Sequence, residues 1–69
     1  MGQNRKMKEA RLAKGLSQEE LARRAGISRQ TVNMMERGDY NPSLQLCLSI
    51  CWILEKTLDE LFWREERER

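Results

Sequence analysis

Arg29, Gln30, Asn33 and Arg37 are the side chains of this 69-residue chain whose types and spacing point to a chemistry. Set on a helix at about 100° per residue, they fall within a roughly 100° arc. Val32 and Met35 fall together on the opposite side and are expected to face a core. A guanidinium pairs two-pronged with guanine O6 and N7, and a carboxamide with adenine N6 and N7, so this arc carries groups suited to the edges of nucleobases. A merely solvated helix face is ordinarily filled with Lys and Glu, and neither occurs on the arc. Catalytic and metal chemistry have thinner support. The chain has no His, no nucleophile–base constellation and no glycine-rich phosphate cradle. Cys47 and Cys51 stand four apart with no second pair to complete a tetrahedral site, and read as small core residues. The expectation is a chain that is not an enzyme, with no metal, no cofactor and no small-molecule ligand.

The elements that must position this arc are marked by punctuation. Ser17 followed by Glu20 forms a capping box, which starts a helix at about Gln18 to Arg24 with Leu21, Ala22 and Ala25 at helical spacing. Gly26 supplies a sharp turn, Ser28 caps a second helix from Arg29 to Arg37, and Gly38 stops it. Two helices joined by a tight glycine turn make a helix-turn-helix, whose second helix commonly enters the major groove of DNA. Three more helices complete an all-α chain without strands. The first runs about Asn4 to Lys14 with Met7 and Ala10 as its buried stripe and Gly15 as its left-handed stop. The fourth, about Leu44 to Leu54, is capped by Ser43 after Pro42. The fifth opens on a second capping box, Thr57 with Glu60, and runs to about Trp63.

Four stretches, KGLSQEELA, GISRQTV, ERGDYNPSL and TLDELF, stand in order and at the right spacing to resemble the Cro- and Xre-type helix-turn-helix regulators, the family of the lambdoid phage repressors. The likeness covers roughly residues 4–63, and it implies a five-helix, lambda repressor-like DNA-binding domain that acts as a transcriptional regulator, most often a repressor. By this resemblance Arg29, Gln30 and Asn33 are the base readers. Gln18 occupies the place of a phosphate clamp, where the side-chain amide and the helix N-terminus both face the backbone. Tyr40 and Asn41 stand in the loop that approaches the opposite strand and are phosphate donors, while Asp39 is a turn residue. Arg11 and Glu36 occupy positions that often hold an ion pair linking the first helix to the third. Ser28 and Thr31 have hydroxyls able to donate to phosphate or base, although Ser28 is first a helix cap. For Arg37 two readings stand: a phosphate contact, or a solvated charge complementing the helix dipole. Met34, at the edge of the face, either meets a thymine methyl or packs on the second helix. One departure from the family pattern is Glu55, where relatives usually have Gly. Either the fourth helix continues through it, or a non-glycine residue turns left-handed at a cost of about 1 kcal/mol.

Bulk properties fit this picture. One domain is expected across residues 1–69, with its core at about 4–63 and a charged tail at 64–69. The net charge of +2 is unevenly spread: residues 1–30 hold eight basic and three acidic side chains, and residues 31–69 five basic and eight acidic. The helix-turn-helix half is thus the half that attracts phosphate. The sequence has no apolar run long enough to span a membrane and no apolar segment of a leader peptide, and Lys6 spoils a myristoylation motif at Gly2. A cytoplasmic protein with reduced cysteines is the expectation. The fourth helix is apolar nearly all round. Leu44, Cys47, Leu48, Ile50, Cys51 and Leu54 are expected as its core half, leaving Leu46, Trp52 and Ile53, joined by Phe62 and Trp63, as a surface for a second subunit. A homodimer fits the family, which pairs through its C-terminal helices and so presents two reading helices to successive major grooves about 34 Å apart. The alternative is an antitoxin-like or adaptor module that binds a different protein through this surface.

Overall fold

Each helix begins at a residue with a side-chain oxygen aimed at an otherwise unpaired backbone N–H. The computed structural model describes residues 3–62. These form five helices and no strand: α1 Arg5–Ala13, α2 Gln18–Ala25, α3 Arg29–Arg37, α4 Leu44–Leu54 and α5 Leu58–Phe62. Asn4, Ser17, Ser28 and Ser43 each accept a hydrogen bond from the backbone N–H three residues on, at 3.0–3.1 Å. Such caps contribute about 1 kcal/mol each. The capping box at α5 is complete: the Glu60 N–H donates to Thr57 Oγ1 at 3.3 Å, and the Thr57 N–H donates to Glu60 Oε1 at 2.8 Å. At α2, Ser17 supplies its half of the box, and the Glu20 carboxylate lies 3.7 Å from Arg23. Trp63 and the charged tail expected at 64–69 lie outside the described residues, as do residues 1 and 2.

The core is built from one to three side chains per helix. Met7, Leu21, Val32, Ile50, Leu54 and Leu61 are essentially sealed from solvent, with Ala10, Ala22, Met35 and Cys51 filling between them. Burying a side chain of this size contributes about 1.5–3 kcal/mol. α2 packs on α3 and α4, and α5 returns against α1 and α4. The start of α1 is tied to the end of α3, the Asn4 N–H donating to the Glu36 carbonyl at 2.9 Å.

α4 corrects the expected assignment of faces. Leu44 and Leu48, expected in the core, are exposed, and Cys47 is only half-buried. Leu46 and Ile53, expected outside, are partly buried and packed against the core. The buried arc is centred on Ile50 and Leu54, rotated by about 60° from the expected one. A helix apolar nearly all round carries little directional pattern, so its orientation is decided by the elements it packs on, here α2 and α5. The helix ends at Glu55, which adopts the left-handed conformation at φ +59° and caps it through backbone bonds from Glu55 N–H to the Trp52 carbonyl and from Lys56 N–H to the Cys51 carbonyl.

Candidate nucleic-acid interface

The turn between α2 and α3 sets the position of α3. Gly26 has φ +73° and the Ile27 N–H donates back to the Ala22 carbonyl at 3.0 Å, which reverses the chain within a few residues. α3 then seats Val32, Met35 and Glu36 inward. Arg29, Gln30 and Arg37 are exposed, and Asn33 on the same face and Met34 at its edge are half-buried. The Arg29 and Gln30 side chains have no hydrogen-bond or ion-pair partner among the described residues. Two strong hydrogen-bonding groups are thus held on a rigid helix with their donors and acceptors unspent.

Beneath this face lies a connected polar network. Arg11 and Glu36 are each 6% exposed and meet edge to edge: Arg11 Nε donates to Glu36 Oε2 at 2.7 Å and Nη2 to Oε1 at 3.2 Å. Arg11 Nη1 also donates to the Leu16 carbonyl at 2.9 Å, so the guanidinium is anchored on both the α1–α2 connection and α3. Gln18 Nε2 donates to Glu36 Oε1 at 3.1 Å and to Asn33 Oδ1 at 3.3 Å. The ion pair was legible in the sequence through its family positions; the contacts of Gln18 were not. Gln18 is 15 and 18 residues from its partners, and no local periodicity encodes that meeting.

The remaining site residues occupy the rim. Ser28 and Thr31 are paired through their hydroxyls at 2.9 Å, while Ser28 Oγ also accepts the Thr31 N–H. One hydroxyl proton serves the pair and the other is left to point outward. Arg37 lies 2.9 Å from Asp39 across the end of α3, and both side chains are exposed. An exposed pair of this kind is worth about 0–1 kcal/mol, so it orients the guanidinium without sequestering it. Tyr40 and Asn41 are exposed in the following loop. The Asp39 N–H donates to the Met34 carbonyl at 2.8 Å, which makes Asp39 part of the helix stop.

A second surface lies on α4. Leu44, Leu48 and Trp52 follow one another at four-residue spacing and are 65%, 49% and 83% exposed. Trp52 stands outside, as expected, whereas Leu46, Ile53 and Phe62 are drawn partly into the core and Leu44 and Leu48 take their place outside. Both cysteines are free, and burial pushes each thiol up from its ordinary range; at Cys51 the neighbouring Cys47, Asp59 and Glu60 add to the effect. They stay protonated and weakly nucleophilic near neutral pH. Among the described residues no three His, Cys, Asp or Glu side chains are grouped to hold a metal ion, and no helix is long and apolar enough to cross a membrane.

A five-helix domain with this tight turn and an outward arginine–carboxamide face is the architecture of a lambda repressor-like DNA-binding module. A helix-turn-helix family model matches residues 7–61. The chain is 48% identical over 61 residues to the uncharacterized HTH-type transcriptional regulator YgzD of Bacillus subtilis, covering 88% of this chain and 92% of that one. Among solved structures it is similar to the restriction-modification controller protein C.AhdI from Aeromonas hydrophila, with a TM-score of 0.79, 42% identity and coverage of 86% and 89% of the two chains. The N-terminal DNA-binding domain of SinR from Bacillus subtilis superposes with a TM-score of 0.78 at 30% identity over 94% of both chains. The chain belongs to the Cro/Xre-type helix-turn-helix family of DNA-binding transcriptional regulators.

Proposed function

We propose that this protein is a sequence-specific binder of double-stranded DNA that represses transcription as a homodimer on an inverted-repeat operator. The observation that carries this reading is the unspent hydrogen-bonding capacity of Arg29 and Gln30 on the outward face of α3. With Asn33 beside them, these side chains meet base edges in the major groove. Ser28, Thr31, Arg37, Tyr40 and Asn41 ring them and hold the phosphates, which sets register and contributes most of the salt-dependent affinity. Gln18 stands at the start of α2, where unpaired backbone N–H groups face outward and add to the phosphate site. Its own side-chain NH2 is committed to Glu36 and Asn33, so its contribution to the backbone contact comes from the main chain.

The dimer forms through the exposed α4 row of Leu44, Leu48 and Trp52. An exposed tryptophan flanked by two exposed leucines is costly to leave in water and is the composition of an interface centre. The same row supports a second reading, in which the surface engages a different protein and DNA binding is subordinate. Sedimentation of the purified chain separates the two: a concentration-dependent dimer supports the regulator, and a monomer that assembles only with a partner supports the adaptor. On the DNA side, Arg29→Ala and Gln30→Ala should each cost about 1–3 kcal/mol on a selected site and little on random duplex. Equal binding of wild type and both variants to every sequence would remove α3 as the reading element.

A further inference from the structure

The first turn of α1 is charged against its own helix. We infer that Arg5 and Lys8 hold DNA phosphates, carrying the interface from the end of α3 onto α1 and adding affinity without base preference. The inference rests on α3 being the reading helix and extends that reading along the duplex backbone.

The N-terminal end of a helix carries positive partial charge, so Asp and Glu stabilise it and cations oppose it. α2 follows this rule with Glu19 and Glu20, and α5 with Asp59 and Glu60. α1 inverts it: the helix opens Arg5, Lys6, Met7, Lys8 and its first turn contains no acid. Of the other four helices described, only α3, which opens on Arg29, also combines a cation with no acid there. Arg5 and Lys8 are exposed, and their side chains have no ion-pair or hydrogen-bond partner among the described residues. Glu9, one turn beyond Arg5, makes no ion pair with it. Glu36 is spent on Arg11 and Gln18, and Asp39 offsets Arg37 alone.

The tertiary structure sets these cations beside the reading helix. The Asn4 N–H donates to the Glu36 carbonyl at 2.9 Å, so Arg5 and Arg37, the next residue on each segment, flank the junction where α1 begins and α3 ends. Lys8 stands one turn further along α1, about 60° round it from Arg11, which faces α3 through its ion pair with Glu36. Three exposed cations therefore border one end of α3. Their mutual repulsion and the helix dipole both act against this arrangement in the free protein, and a row of phosphates relieves both.

The test measures affinity for a mixed-sequence duplex as a function of salt, with thermal midpoints, for wild type, Arg5→Gln, Lys8→Gln, Arg5→Glu and Lys56→Gln. Loss of one phosphate contact makes the slope of log affinity on log salt shallower by about 1. Arg5→Gln and Lys8→Gln should each show this, weakening all sequences alike and leaving the base preferences of α3 unchanged. Arg5→Glu should bind more weakly still and yet melt about 2–4 °C higher, because it puts an acid where the dipole favours one. Lys56→Gln removes the same charge beside Glu55, whose carboxylate meets Lys14 past the far end of α1, and should leave the slope as it is.

An unchanged slope in both glutamine variants, while Arg37→Gln shifts it, overturns the α1 contact and leaves α3 as the reading helix. A slope made equally shallow by Lys56→Gln overturns it too, since net charge alone would then account for the effect. So does a fall in the thermal midpoints of Arg5→Gln and Lys8→Gln large enough to explain their weaker binding. If Arg29→Gln and Arg37→Gln also leave affinity unchanged, the reading helix itself is wrong.

Discussion

The α2–α3 and α4–α5 junctions both pass through a residue in the left-handed region, Gly26 at φ +73° and Glu55 at φ +59°. Each cap redirects the chain by the same backbone bonding, an N–H beyond the helix returning to a carbonyl of its last turn. Gly26 adopts this conformation without steric penalty, whereas the Cβ of Glu55 makes it cost about 1 kcal/mol or more. A partial offset is visible: the Glu55 carboxylate lies 3.0 Å from Lys14 Nζ, joining the end of α4 to the end of α1. The difference extends beyond the junctions. The glycine joint sits in a half whose buried ion pair, caps and turn all specify one arrangement. The glutamate joint sits in a half where α4 is apolar nearly all round and presents Leu44, Leu48 and Trp52 to solvent. The first half is closed within the monomer, whereas the second leaves an apolar row exposed, which the proposed dimer would cover. Reading DNA requires a rigid face, and pairing two such faces requires a surface left open.

The contrast between the halves is broken most severely at Glu36. Glu36→Ala strands the Arg11 guanidinium in the interior and should lower stability by about 3–5 kcal/mol, read as a large drop in thermal midpoint with loss of all DNA binding. Gly26→Ala should cost about 1–2 kcal/mol. A Cβ there meets nothing within 4 Å, so the loss is purely conformational, and any larger value in a denaturant titration would mean that the turn tolerates less movement than its geometry implies. Trp52→Lys should leave the stability of the monomer within about 0.5 kcal/mol while abolishing self-association by sedimentation. A clear loss of monomer stability would place Trp52 in the fold instead. The smallest effect belongs to Glu55→Gly, expected to raise stability by about 0.5 kcal/mol as relief of the left-handed strain outweighs a mostly exposed ion pair. Glu55→Ala loses the pair and keeps the strain, so it should fall below wild type; if both variants fell equally, the ion pair with Lys14 would outweigh the strain.

The two halves also differ in how far they could be read from the chain. Ser17, Gly26, Ser28, Gly38 and Ser43 are local signals that act on the neighbouring few residues, and the bounds of α2, α3 and α4 follow from them closely. The outward placement of Arg29, Gln30 and Arg37 follows from helical periodicity, because Val32 and Met35 give α3 an unambiguous apolar side. α4 has no such contrast. Leu44 and Leu46 are equivalent by type, and only the positions of α2 and α5 decide that Leu46 packs while Leu44 stays outside. The Gln18–Glu36–Asn33 contacts are illegible for a related reason: they depend on two helices meeting at a fixed angle, a tertiary fact without a local trace. Glu55 was legible as a departure, with two outcomes open, and the backbone takes the strained cap over a longer helix.

Selection of binding sites from a random duplex library, with the mass of the bound species determined in solution, tests the central claim most directly. A dimeric reader of this kind should yield an enriched inverted repeat with half-sites about one helical turn apart, occupied by two copies of the chain. Weak, salt-sensitive binding with no enriched sequence would contradict the claim and leave the Trp52 row, rather than α3, as the functional surface.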